Sequence, residues 1–219
     1  MVSDLNSSLN KLPQGIILEA CVETIDDAVR ARKNGAQQIE WCGDLSEDGL
    51  TPDRSLTLSL LKVMDIPVKV IIRCRPGDFI YRADEMQKMV KDADYFSSLP
   101  GISGLVFGAV HDNRTLNTSQ IEYIIDHSNG LPLTLHKAID TCGDILSEVK
   151  RAADIRGLEF ILSSGGSSTA LEGIGMLQKM QQCFRGKIIA AGKINRQNLA
   201  TLHGLLSFQY YHGKQIVNI

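Results

Sequence analysis

The feature that most constrains this chain is an alternation. Short β-branched or apolar runs recur along it, each followed by a longer amphipathic stretch. Eight runs are legible, at 16–21, 38–42, 68–73, 104–107, 133–136, 160–163, 188–191 and 209–212. Helical patterns fall between them at 24–34, 52–64, 83–98, 118–128, 144–156, 169–184 and 195–203. Such a βαβα rhythm requires a parallel sheet with helices outside it. Eight parallel strands close into a barrel, whereas a doubly wound sheet has five or six strands and a G-x-G-x-x-G turn after the first. That turn is absent here. The expected fold is therefore α/β, a (β/α)8 barrel of TIM type. Too few residues follow the eighth run for a full last helix, which is expected to be missing or short.

The punctuation agrees with this reading. Asn34-Gly35 ends the first helix, Pro52 suits the first position of the second, and Asn195 caps the seventh. No linker or low-complexity tract divides the chain, so residues 1–219 are expected to form one domain, with 1–14 a loose polar tail.

Composition narrows the partners. A net charge of −2 without a basic stripe argues against nucleic acid. The N-terminal segment has no apolar targeting core and no run reaches membrane-spanning length, so a cytoplasmic protein is expected. Five cysteines, an odd number with no C-x-x-C, read as reduced thiols.

Polar residues gather at the carboxyl ends of the runs, where barrel enzymes build their sites. Two consecutive strands end in Glu-x-Cys, as Glu19-Ala20-Cys21 and Glu40-Trp41-Cys42. Strand alternation puts each Glu on the same face as its Cys, so two acids and two thiols should converge inside the barrel. Two thiols suit a soft metal ion, while buried cysteines also serve as small apolar fillers. The carboxylates need partners, and Arg73 and Arg75 share the inward parity if the third strand persists that far.

On the fifth strand His136 is placed inward as an acid, base or ligand, and Lys137 away from the interior. The stretches Ser163-Ser164-Gly165-Gly166 and Ala191-Gly192-Lys193 precede helices, where backbone N–H groups can hold an anion. The terminal Tyr210-Tyr211-His212-Gly213 adds a polar group at the rim.

Taken together these segments resemble the CutC family, named for copper homeostasis. The matching motifs are LEACVET at 18–24, NGAQQIEWCGDLSEDGLTP at 34–52, IPVKVIIRCRPGDFIY at 66–81, GLVFG at 104–108, LPLTLHKAID at 131–140, ILSSGGSSTALEG at 161–173 and YYHG at 210–213. The resemblance implies a TIM-type barrel, a cytoplasmic location, a homo-oligomer, and Cu(I) held by Cys21 and Cys42. Two departures stand out: Cys74 replaces the family's usual proline between Arg73 and Arg75, and Lys137 replaces an arginine after His136.

Two functions are expected to compete. In the first, Cys21 and Cys42 bind Cu(I), with His136 or Cys74 as further ligands. In the second, a barrel enzyme of lyase, isomerase or hydrolase type acts on a small anionic metabolite. Glu19, Glu40, Arg73, His136 and Asp140 would then carry the chemistry, and Arg73, Arg75, Ser164, Gly165, Gly166 and Gly192 would bind the anion.

Overall fold

A computed structural model describes residues 15–218. The expected loose tail, 1–14, lies outside the described residues. Eight parallel strands close on themselves in sequence order. They are β1 (Ile17–Val22), β2 (Gln38–Trp41), β3 (Val68–Ile71), β4 (Ile102–Phe107), β5 (Leu133–Leu135), β6 (Leu158–Ser163), β7 (Lys187–Ala190) and β8 (Tyr210–Gly213). Helices α1 (Ile25–Lys33), α2 (Arg54–Leu61), α3 (Ala83–Ser97), α4 (Thr118–Asp126), α5 (Ile145–Ala152), α6 (Ile174–Cys183) and α7 (Arg196–Leu206) connect them. Among the described residues no helix follows β8.

Alternation along the strands sorts the side chains into two cores. Outward residues such as Leu18, Ala20, Ile39, Trp41, Val68 and Val70 join one large apolar layer between sheet and helices. Trp41 is anchored there by its indole N–H, which donates to Thr57 on α2 at 2.9 Å. Inward residues form smaller groups inside the barrel. Cys21, Cys42, Ile71 and Val106 make one, and Leu162, Ile189 and Ala191 another.

Helix starts are set by polar caps. Thr24, Asp53, Asn117, Asp144 and Asn195 each accept backbone N–H bonds from the first turn of the helix that follows. Pro52 does not open α2 as expected. Asp53 takes the cap, and the proline stands one residue before it, outside the helix. Strand β3 ends at Ile71, two residues earlier than the sequence pattern indicated; Ile72 N still donates to Val106 O at 2.8 Å, but Arg73 bonds instead to Thr51 in the loop after β2, and the chain bends from Arg75.

Candidate functional site

The strand register brings the inward acids together. Glu19 lies opposite Gln38 on one side and His212 on the other, Cys21 opposite Glu40, and Glu40 opposite Lys69. The fully buried Glu19 carboxylate accepts from the Gln38 amide, pairs with Lys69 Nζ at 3.1 Å and meets His212 Nδ1 at 2.9 Å. Lys69 Nζ sits 4.1 Å from the centre of the Phe160 ring, whose negative face adds to its stabilisation. Burial alone drives the Glu19 pKa up, but the Lys69 charge and the bonds from His212 and Gln38 outweigh it and hold the group down to about 2. Glu40 has no such set of partners: His212 Nδ1 stands 3.4 Å from it and the Cys42 thiol 3.6 Å. Burial therefore dominates and pushes Glu40 up to about 8. His212, between the two acids, is held well above its ordinary value against the effect of burial by Glu40, Cys21 and Glu19.

Next to this cluster lie the thiols. Cys21 Sγ and Cys42 Sγ are 3.6 Å apart, and Cys42 Sγ is 3.6 Å from Glu40 Oε1. The hydrogen bond from Cys42 outweighs burial at Cys21 and lowers it to about 6, while the same bond raises Cys42. The bond thus favours the thiolate at Cys21 and the thiol at Cys42. Donor atoms of Cys21, Glu40 and Cys42 fall within 4.8 Å of one another, as do those of Glu19, Glu40 and His212. Gly49, at φ +91°, allows the loop after β2 to pack on Cys42, where an added Cβ would stand 3.3 Å from the sulfur.

Above the thiols, a cavity of about 920 Å³ opens at the carboxyl ends of the strands, with Cys21, Glu40 and His212 in its wall. His136 and Arg73 line it too. His136 fits because β4 continues into Gly108, where a Cβ would come within 2.7 Å of its Nδ1. Burial, reinforced by the Arg73 charge, lowers His136 to about 3 and keeps it neutral. Among the described residues no helix is long and apolar enough to cross a membrane.

Several expectations need correction. The partners of Glu19 are Lys69, Gln38 and His212, not the arginines. Arg73 instead spends its guanidinium on the carbonyls of Glu47, Gly49 and Gly77. Arg75 lies beyond the end of β3, where alternation no longer applies, and pairs with Glu85 and Asp78. The turn at Ser164, Gly165 and Gly166 is not open to an external anion. Asp140 fills it, accepting from the Ser163 hydroxyl, from Ser164 N and Oγ, both at 3.0 Å, and from Gly166 N at 2.9 Å. Asp140 is thereby committed to the turn. Gly192 lines the cavity, but its left-handed φ of +109° serves packing, since a Cβ would lie 2.9 Å from Ser164 Cβ. Cys74 packs against the outer core, and neither it nor His136 joins the donor groups around the thiols.

Lys69 and Gln38 belong to the site although the sequence alone had not placed them there. The signal was present: Lys69 interrupts the apolar run Val68-Lys69-Val70-Ile71-Ile72, and its parity matches that of Arg73.

A sequence profile of the CutC family matches residues 16–217. The chain belongs to the CutC family. It is 34% identical to the copper homeostasis protein cutC homolog of Caenorhabditis elegans over 205 residues, 92% of this chain and 81% of that protein. Against the Homo sapiens protein of the same name the identity is again 34%, over 84% of this chain and 68% of that protein. The crystal structure of CutC from Streptococcus agalactiae superposes with a TM-score of 0.85 at 26% identity, covering 92% of this chain and all of that one.

Proposed function

We propose that the protein takes up copper as Cu(I), bound between the thiolates of Cys21 and Cys42. The observation that carries this reading is the 3.6 Å separation of the two sulfurs, one of which faces the open cavity. Metal–thiolate bonds of about 2.3 Å let one ion bridge sulfurs up to about 4.6 Å apart. Soft thiolates favour Cu(I) over hard cations. The surroundings suit the exchange of thiol protons for a cation, because the positive His212 beside Cys21 balances the surplus charge of a dithiolate. Relatives named for copper homeostasis support the same reading. Reduced thiols this close together fit the reducing cytoplasm, the compartment we propose for the protein.

Anaerobic titration with Cu(I) against a competing chelator tests the proposal. One equivalent per chain is expected to bind, with affinity falling on acidification as protons compete for the sulfurs. The double substitution Cys21→Ser with Cys42→Ser should abolish that equivalent. Undiminished uptake by this variant, with folding intact by circular dichroism, would rule the site out.

A further inference from the structure

The barrel mouth holds two buried donors that the copper reading does not use. Arg73 is only 5% exposed and makes no ion pair among the described residues. Three of its five N–H groups go to main-chain carbonyls, at 2.6 Å from Glu47 O, 3.1 Å from Gly49 O and 3.0 Å from Gly77 O. Its Nε–H has no partner among the described residues. A buried guanidinium without a counter-charge is costly, and its remaining donors fit an oxyanion.

His136 presents a second orphan. Its Nδ1 accepts from Ala138 N–H at 3.1 Å, so the proton of the neutral ring sits on Nε2. That Nε2–H is buried and has no partner among the described residues. Both side chains line the same cavity, and one ring shields both: the centre of Phe79 lies 4.7 Å from that of His136 and 5.2 Å from Arg73 Cζ.

The charges around the cavity point the same way. Lys137 and Lys193 stand in its wall without an acidic partner among the described residues. Of the acids in the wall, Asp140 is bound into the β6 turn, Asp48 faces Lys214 at 3.6 Å, and Glu40 stands 3.4 Å from His212 Nδ1. The remaining wall includes Ile71, Leu162 and Ala191, which suits a carbon skeleton better than a bare inorganic ion. A cavity of about 920 Å³ is in the range that holds whole metabolites.

We propose that this cavity binds a small organic anion, a carboxylate or a phosphate ester, whose oxygens are taken by Arg73 and by His136 Nε2–H when the Phe79 ring swings aside. The site is independent of copper, and it needs neither thiol. The lysines at the rim draw the anion in, and the two buried donors orient it.

Metal-free protein is titrated with malonate, pyruvate and glycerol 3-phosphate, read by calorimetry and ligand-detected NMR, so the result does not depend on the copper titration. Saturable binding of at least one probe is expected, and which probe wins separates carboxylate from phosphate ester. His136→Gln should weaken it by about tenfold or more, the scale of a lost charge-assisted or buried hydrogen bond. Arg73→Lys, which keeps the charge but loses the fork, should weaken it as well. Phe79→Ala, with the shielding ring gone, should bind as tightly as the parent or more so. The proposal is overturned if none of the three probes binds saturably, or if His136→Gln, shown folded, binds them unchanged. Loss of binding in a folded Phe79→Ala would overturn the role given to that ring.

Discussion

At the scale of single residues, the site is organised by the cost of burying charge. Glu19 and Lys69 are both almost wholly inside the barrel, and each supplies the main counter-charge that makes the other tolerable there. Lys69→Met is therefore expected to destabilise the fold by about 3–5 kcal/mol, since it leaves a buried carboxylate without its main counter-charge. Adding Glu19→Gln to that variant should recover part of the loss, as measured by urea unfolding. His136 supplies a pH test. Burial, then the Arg73 charge, lowers its folded pKa to about 3 from an ordinary 6.5. The unfolded chain thus binds the proton more readily, and the histidine's contribution is complete above pH 6.5 and lost as pH falls toward 3. Between pH 7 and pH 5 the parent should lose about 2 kcal/mol more stability than His136→Gln. An equal loss in both would show that the ring is not held neutral. The convergence of Glu19, Cys21, Glu40 and Cys42 was legible from alternation in two strands. The tautomer of His136 was not, because it depends on the N–H of Ala138, set by the turn that follows β5.

At the scale of elements, the eight strands and seven helices follow the periodicity closely, and the departures sit at their ends. Strand β3 stops at Ile71, so the parity that placed Arg75 inside had no strand to act through. The glycine turn after β6 shows a similar limit. Ser163-Ser164-Gly165-Gly166 looks like an open anion nest in one dimension, yet Asp140, arriving from the turn after β5, already occupies its donors. Asp140→Ala is expected to cost about 2–4 kcal/mol by leaving several donors in and around the turn unpaired. Hydrogen exchange should then lose protection at Ser164 and Gly166 while the centres of the strands keep theirs. At the start of α7, Asn195 accepts from Gln197 N and Asn198 N, and Asn195→Ala should cost about 1 kcal/mol in urea unfolding.

At the scale of the whole molecule, closure is what creates the site. Strand β8 pairs with β1 in a register that sets His212 against Glu19, two residues 193 positions apart. Removal of β8 would open two sheet edges, on β7 and β1, and strip Glu19 of a partner. A chain ending after Ser207 is expected to lose cooperative thermal unfolding and the near-ultraviolet signal of its buried Trp41. Retention of a sharp transition would contradict this account of the barrel. The sequence by itself determined the class of fold, the order of its elements and the convergence of two acids and two thiols. Those features are periodic and local, written into each strand by alternation. Tertiary structure decided which cation meets which acid, which turn is already filled, and which donors are left free at the mouth. Each of these depends on distances between segments remote in the chain, and the shear of a closed barrel sets those distances where no local pattern can.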